Sequence, residues 1–198
     1  MKKSNAFTLS RLLYAPVFFL LYFIPIWTGK FAALSLIIAI PLLIFAELTD
    51  ALDGYYARKY NEVSDFGKMF DPFADVMQHV SSFLCFMKSF DPEKGFVLPV
   101  WIFVLIFYRE FGQNFLRMVA AKKGVAIAAR KGGKLKTVMY VAAEFYCVFL
   151  ELLVRLNFVP DCMGILKYVA IGLFVVCVIL SYVSFIDYLI HFGKVLKQ

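Results

Sequence analysis

The sequence TDALDGYYARKYNEVSDFGKMFDPFAD, residues 49–75, joins the end of one apolar run to the start of the next. Four of its aspartates form two pairs, Asp50 with Asp53 and Asp71 with Asp75. Residues three or four positions apart share one face of a helix, so each pair would present two carboxylates to the same side. Turned toward each other, the two faces would form a four-carboxylate cage.

Apolar residues dominate the chain outside this stretch. The 198 residues are 62% hydrophobic and 18% charged, and the mean hydropathy is +0.77, whereas about 25% of residues are charged in soluble domains. Six apolar runs, most of them close to the roughly 20 residues that cross a bilayer, predict an all-α polytopic membrane protein with six transmembrane helices. We expect them to form a single domain, residues 1–198. The runs lie near Leu12–Trp27, Phe31–Thr49, Phe70–Phe86, Phe96–Leu116, Val138–Val154 and Gly164–Ile190.

Lysine and arginine are concentrated on one side of the predicted bundle. Six spans place both termini on the same side, which holds fifteen of these residues against five on the other, while Arg109 lies inside the fourth run. Since short cytoplasmic loops carry the excess positive charge, we expect the termini and residues 49–75 to face the cytoplasm, in a bacterial cytoplasmic membrane. The net charge of +7 then suits anionic lipid headgroups or a phosphorylated substrate, and its distribution does not suit nucleic acid. The fifteen are Lys2, Lys3, Arg11, Arg58, Lys59, Lys68, Arg117, Lys122, Lys123, Arg130, Lys131, Lys134, Lys136, Lys194 and Lys197, and the five are Lys30, Lys88, Lys94, Arg155 and Lys167.

The paired aspartates need positive charge around them. Clustered carboxylates beside hydrocarbon repel one another unless cations neutralise them. All-oxygen ligation favours a hard ion, and two Mg²⁺ would balance four carboxylates. Such a pair of ions suits phosphoryl chemistry, because it can hold a diphosphate and stabilise the attacking and leaving oxygens. Gly54 and Gly67 let a ligand approach the backbone closely, and Arg58 adds a permanent cation for phosphate.

The spacing within this stretch resembles the signature of the CDP-alcohol phosphotransferases, integral membrane enzymes that move a phosphatidyl group from CDP-diacylglycerol to an alcohol. All eight signature positions match. The resemblance implies a six-helix fold, usually a homodimer, with an active site that opens to the cytoplasmic leaflet. The matching pattern is Asp50-x2-Asp53-Gly54-x2-Ala57-Arg58-x8-Gly67-x3-Asp71-x3-Asp75.

The resemblance also implies roles for the matched residues. Asp75 would be both a metal ligand and the general base that takes the proton from the acceptor hydroxyl. The ions would be two Mg²⁺, with Mn²⁺ as a substitute. The implied metal ligands are Asp50, Asp53, Asp71 and Asp75, and the residues that would border the cytidine diphosphate are Asp53, Gly54, Ala57, Arg58 and Gly67.

A second stretch, YREFGQNFLRMVAAKKGVAIAARKGGKLKT, residues 108–137, bears on the acceptor. Charged residues within a span are functional candidates, and Arg109 lies in the fourth run with Arg117 two turns further on. With Lys134 and Lys136 they form a basic wall that could hold a phosphate on the acceptor. The R-E pair, the later G-K-x-K-T and the FDPFAD motif are similar to the phosphatidylglycerophosphate synthase branch of the family. That similarity implies sn-glycerol 3-phosphate as the acceptor, with CMP and phosphatidylglycerophosphate as products.

Several residues on the presumed acceptor side depart from that branch. Val76 stands in place of a lysine, Asn114 and Ala129 or Arg130 in place of serines, and Tyr140 in place of a glutamine. The aspartates are unaffected, but another phosphorylated polyol, such as inositol phosphate, is an alternative acceptor. A six-span cation carrier is a more remote alternative, since carrier sites are expected at broken helices near the bilayer midplane.

Other ionisable residues within the predicted spans have no role in the signature. His79 continues the register of Asp75 by one turn and is either a further metal ligand, a proton relay or an ordinary polar residue beside the site. Glu47, one turn before the first aspartate pair, would either orient Arg58 or a water, or be paired within the bundle. Glu151 and Arg155 are four positions apart, so we expect them to form an ion pair.

Overall fold

The computed structural model describes residues 3–59, 65–122 and 131–196 and shows six helices, with no strand in these ranges. The prediction of six helices is confirmed. The helices are α1 (Lys3–Thr28), α2 (Ala32–Lys59), α3 (Asp65–Cys85), α4 (Val100–Lys122), α5 (Lys131–Arg155) and α6 (Met163–Leu196).

Within the described ranges, three helices contain segments long and apolar enough to cross a membrane. These segments are Ala32–Thr49 in α2, Gly133–Arg155 in α5 and Met163–Ile190 in α6, and α1 contributes a shorter apolar segment, Leu12–Thr28. A helix satisfies its backbone polar groups internally, which is what a segment surrounded by hydrocarbon requires. The chain is therefore a polytopic membrane protein.

Helices α3 and α4 are less apolar because each carries a stripe of polar residues at helical spacing. Such a stripe collects polar groups on one face of the helix, where they can meet a neighbouring helix rather than lipid. Most of these side chains are buried. The stripe of α3 comprises Asp71, Asp75, Gln78, His79 and Ser82, and that of α4 comprises Arg109, Glu110, Gln113, Asn114 and Arg117.

The helix boundaries differ from the apolar runs at several places. Helix α2 continues past its apolar segment to Lys59, and α6 continues to Leu196, because helical hydrogen bonds do not require an apolar surrounding. Helix α4 begins at Val100 rather than at Phe96. Proline lacks the N–H donor of a helix interior, and the Pro99 carbonyl accepts the first helical hydrogen bond, from the N–H of Ile102 at 3.0 Å.

The bundle is held at its centre by aromatic rings. Helix α1 packs against α2 and α3, α6 packs against α4 and α5, and α3 also contacts α4 and α5. The Phe83 ring meets the rings of Tyr140 and Phe174 edge-on, with centroids 5.2 and 5.0 Å apart. All three side chains are fully buried. These contacts fix α3, α5 and α6 together and so position the polar residues beside them.

One end of the bundle, which we call the Arg155 end, carries the loops 29–31, 86–99 and 156–162. Arg155 donates from Nε to Glu151 at 2.9 Å, from one terminal nitrogen to the Tyr22 carbonyl at 2.9 Å and from the other to Ser35 Oγ at 3.0 Å. The predicted pair of Glu151 and Arg155 is confirmed. It ties the end of α5 to α1 and α2.

Candidate active site

A cavity of about 230 Å³ opens between α3, α4 and α5 at the opposite end of the bundle, which we call the Asp75 end. Residues from the polar stripes of both α3 and α4 line it, together with the first turns of α5. Its lining includes Asp71, Asp75 and Val76 of α3, Arg109, Glu110, Gln113, Asn114 and Arg117 of α4, and Lys134, Lys136 and Thr137 of α5.

The second aspartate pair of the signature lines this cavity. Asp71 and Asp75 lie one turn apart on α3, and both are partly exposed. Their carboxylate oxygens are the donors that a hard cation prefers. The other signature positions lie outside the part of the chain whose side chains are described, so the four-carboxylate cage stays a prediction. These positions are Asp50, Asp53, Gly54, Ala57, Arg58 and Gly67.

Glu110 is the centre of a buried charge network at the base of the cavity. Its carboxylate accepts hydrogen bonds from Arg109 at 2.6 Å, from Lys136 Nζ at 2.9 and 3.1 Å and from the Tyr140 hydroxyl at 2.9 Å. Arg109 also donates from Nε to the Ser181 carbonyl of α6 at 2.7 Å. The network therefore connects α4, α5 and α6. One carboxylate holds two cations in place, so the surplus positive charge is available to a ligand anion.

All four residues of the predicted basic wall line the cavity, but they have different surroundings. Arg109 is 2% exposed and is locked to Glu110. Lys136 is largely buried and lies over the Tyr140 ring, 4.6 Å from its centroid. Lys134 is exposed at the cavity. The wall thus combines two cations held by Glu110, Arg109 and Lys136, with two that do not bind it, the exposed Lys134 and the partly buried Arg117.

Two buried polar atoms at the cavity have no hydrogen-bond partner within the described residues. They are Gln113 Oε1 and Arg117 Nε. The two residues lie one turn apart on α4, and Gln113 is only 6% exposed. Sequence reasoning included Arg117 and missed Gln113. The available signal was the spacing, because Gln113 stands four positions after Arg109 and four before Arg117 and so shares their face.

A further buried cluster lies one turn beyond Asp75 along α3. His79 Nδ1 is 3.0 Å from Glu144 Oε1, and Gln78 donates to Glu47. The candidate ligand atoms of Glu47, His79 and Glu144 lie within 4.8 Å of one another, so this group can also hold a metal ion. Imidazole and carboxylate together suit Zn²⁺ or Mn²⁺ better than Mg²⁺. The structure thus pairs His79 with a carboxylate, which its position in the sequence did not indicate.

Three residues that differ from the phosphatidylglycerophosphate synthase branch lie at or beside the cavity. Val76 and Asn114 line the cavity. Tyr140 stands where the branch has a glutamine, and its hydroxyl donates to Glu110. Ala129 and Arg130 lie outside the described residues. Three of the departures therefore adjoin the basic wall.

Comparison with known proteins gives consistent matches. The chain matches the family model of CDP-alcohol phosphatidyltransferases over residues 1–186. It is 38% identical to a CDP-diacylglycerol–glycerol-3-phosphate 3-phosphatidyltransferase of Treponema pallidum, over 100% of this chain and 92% of that relative. A relative of the same name from Bacillus subtilis is 37% identical over 67% of this chain and 69% of its own. A probable phosphatidylglycerophosphate synthase of Mycobacterium tuberculosis is 36% identical over 71% of this chain and 62% of its own.

Proposed function

The chain belongs to the CDP-alcohol phosphatidyltransferase family, and from that premise we propose that it transfers the phosphatidyl group of CDP-diacylglycerol to sn-glycerol 3-phosphate. The products are CMP and phosphatidylglycerophosphate, a precursor in phospholipid synthesis. The observation that carries this proposal is the cavity in which Asp71 and Asp75 adjoin a basic wall. The names of the similar proteins support the same acceptor.

We propose that the aspartates hold a pair of Mg²⁺ ions, with Mn²⁺ as a substitute. The oxygen donors of Asp71 and Asp75 at the cavity fit a hard cation. Asp50 and Asp53 would complete the ligand set from the last turns of α2. Bound ions supply charge neutralisation for the diphosphate and for the departing CMP.

The residues of the chain then have distinct tasks. Asp75 takes the proton from the acceptor hydroxyl, whose oxygen forms a bond to the lipid-side phosphorus as the bond to CMP breaks. Asp53, Gly54, Ala57, Arg58 and Gly67 border the cytidine diphosphate. Glycine permits close approach to the backbone, and arginine neutralises phosphate.

The acceptor phosphate is held by the basic wall. Glu110 balances one of the four cations, Arg109, Arg117, Lys134 and Lys136, and the remaining positive charge favours an anionic acceptor over a neutral alcohol. Fixing Arg109 and Lys136 in advance lowers the cost of ordering them when the phosphate binds. Inositol phosphate is the alternative acceptor, because it presents the same charge.

We further propose that the protein is a homodimer in a bacterial cytoplasmic membrane, with both termini and the Asp75 end facing the cytoplasm. The distribution of Lys and Arg supports this orientation. It also places the cavity on the side where a water-soluble phosphorylated acceptor is available.

The test is CMP release by the full chain, purified in detergent, with CDP-diacylglycerol and Mg²⁺. Glycerol 3-phosphate, inositol phosphate and glycerol are offered in parallel. We expect turnover with glycerol 3-phosphate, its loss on chelation and its return with Mg²⁺ or Mn²⁺. If only inositol phosphate supports turnover, the proposed acceptor is wrong and the proposed reaction class stands. No CMP release with any alcohol would contradict the proposal and favour the cation carrier.

A further inference from the structure

Two buried polar atoms at the cavity have no contact assigned to them in the proposed reaction. Gln113 Oε1 and Arg117 Nε are enclosed by protein and have no partner in the described residues. A buried polar group without a hydrogen bond is costly, by about 1–3 kcal/mol in typical cases. Both residues line the cavity. Their unpaired atoms are therefore expected to meet groups of the molecule that fills it.

The two atoms demand different partners. Arginine carries only donors, so Arg117 Nε requires an acceptor such as a phosphate oxygen. The Gln113 amide oxygen requires a donor, which a phosphate dianion does not have. A ligand that satisfies both must combine an anionic oxygen with a hydrogen-bond donor, and in the proposed acceptor that donor is a hydroxyl group. Because a hydroxyl both donates and accepts, it can serve either end of the Gln113 amide.

The spacing of the two residues matches the acceptor proposed above. Side chains one turn apart on a helix have Cβ atoms about 5–6 Å apart. In glycerol 3-phosphate only a methylene and the ester oxygen separate the secondary carbon from phosphorus, so its secondary hydroxyl and its phosphate are close neighbours. The primary hydroxyl at the other end stays available for reaction beside Asp75.

Two other cations of the basic wall cannot act as the hydrogen-bond acceptor for the secondary hydroxyl. Arg109 and Lys136 are already engaged with Glu110, at 2.6 and 2.9 Å. Both side chains are donors only, so neither can accept a hydrogen bond from a hydroxyl group. Val76, on the facing helix α3, lines the cavity with an apolar side chain, where the resembled family branch has a lysine. Gln113, which lies between Glu110 and Arg117 along α4, thus presents a buried hydrogen-bond acceptor at the cavity.

We propose that Gln113 is a specificity-determining residue that hydrogen bonds to the non-reacting secondary hydroxyl of the acceptor, while Arg117 binds the neighbouring phosphate. The inference rests on the proposed function, since it names how the same site selects its acceptor. By this one hydrogen bond, Gln113 distinguishes glycerol phosphate from hydroxyalkyl phosphates that lack the secondary hydroxyl.

The experiment compares two acceptors in two proteins. The acceptors are sn-glycerol 3-phosphate and 3-hydroxypropyl phosphate, which retains the primary hydroxyl and the phosphate but lacks the secondary hydroxyl. The variant is Gln113→Met, which keeps the length of the side chain and removes its hydrogen bonds. CMP release gives kcat/KM for each of the four combinations in detergent with CDP-diacylglycerol and Mg²⁺.

We expect the wild-type protein to prefer glycerol phosphate by about 10- to 100-fold, the range for a buried group left unpaired by the analogue. In Gln113→Met the rate with glycerol phosphate should fall toward that with the analogue, and the preference should shrink to about threefold or less. Turnover of the analogue then shows that the variant is folded. The control is Phe115→Leu, at an exposed position of α4 outside the cavity lining, where the wild-type preference should persist.

The outcomes separate this inference from the function on which it rests. Wild-type turnover of glycerol phosphate with an unchanged preference in Gln113→Met would overturn the role of Gln113 alone. Equal kcat/KM of the wild-type protein for the two acceptors would also overturn the role of Gln113 alone. No turnover of either acceptor by the wild-type protein would overturn the proposed function and this inference with it. If Gln113→Met is inactive with both, Gln113→Asn, which shortens the amide by one methylene, must show a reduced preference.

Discussion

The two ends of the bundle each contain a buried carboxylate that binds an arginine, but they differ in whether the polar atoms around that pair have hydrogen-bond partners. At the Arg155 end, Glu151 accepts from Arg155, from Ser89 Oγ and from the Phe90 N–H, and every nitrogen of the Arg155 guanidinium has a partner. At the Asp75 end, Glu110 is equally well bonded, yet Gln113 Oε1 and Arg117 Nε at the same cavity have no hydrogen-bond partner among the residues that the structure describes. Buried charge alone therefore does not mark a site.

The difference has a physical origin. A closed network places every donor against an acceptor, so it holds helices together and gains nothing from a ligand. The tyrosine and phenylalanine rings that flank the Arg155 guanidinium complete that enclosure, at 4.7 and 5.9 Å from it. An incomplete network retains polar atoms that a bound molecule can satisfy. We therefore expect substitutions at the Arg155 end to change stability and those at the Asp75 end to change catalysis.

The largest effect is expected from Asp75→Asn. The amide cannot accept a proton from the acceptor hydroxyl, so transfer should fall by about 10²–10⁴-fold or more. Thermal unfolding in detergent should change little, because the side chain is partly exposed at the cavity. CMP release and an unfolding scan on the same preparation measure the two quantities. Full activity in this variant would remove Asp75 as the base.

Breaking the pair at the other end should act on stability instead. Glu151→Gln leaves Arg155 as a buried charge without its carboxylate, and we expect a loss of about 3–5 kcal/mol in the free energy of unfolding. Activity per folded molecule should be close to that of the wild type. The double variant Glu151→Leu with Arg155→Met removes both charges and should recover part of the loss. A selective fall in kcat, with an unchanged unfolding temperature, would contradict the separation of the two ends.

Two cations of the basic wall allow a sharper comparison within the Asp75 end. Arg117→Met should raise KM for glycerol 3-phosphate by about 10- to 100-fold, because it removes a charged hydrogen bond from an enclosed position. Lys134→Met should raise it only a few-fold, since Lys134 is exposed and its charge is screened by water and salt. Steady-state kinetics at two salt concentrations measure the two changes in KM. Equal changes for the two variants would show that burial does not decide how much each cation contributes to acceptor binding.

A smaller loss of stability than that of Glu151→Gln is expected from a glycine in the loop of the Arg155 end. A Cβ at Gly95 would overlap with Ser89 Oγ, the hydroxyl that donates to Glu151. Gly95→Ala should therefore destabilise the protein by about 1–3 kcal/mol, as overpacking typically does. The control is Gly164→Ala in α6, where nothing lies within 4 Å of the new methyl group and stability should not fall. Equal unfolding temperatures for the two variants would contradict the contact.

Much of the site was accessible from residue spacing. Asp71 and Asp75 line the cavity with Arg109, Arg117 and the two lysines of the basic wall, as their shared helix faces suggested. Gln113 was missed because its type is common on polar helix faces, and only its burial without a partner distinguishes it. The pairing of His79 with Glu144 was also missed, since 65 positions separate them along the chain.

The sequence by itself determined the class of the fold, the six helices and the polar faces of α3 and α4. These depend on hydropathy and on the period of the helix, which are local properties of the chain. Only the tertiary structure decided that Glu110 binds Lys136 and that the Arg155 end is closed. It also decided that Gln113 Oε1 and Arg117 Nε are buried without a partner in the described part of the chain. The reason is that such pairings depend on how helices rotate and cross in the bundle, and side-chain packing across distant segments sets that rotation.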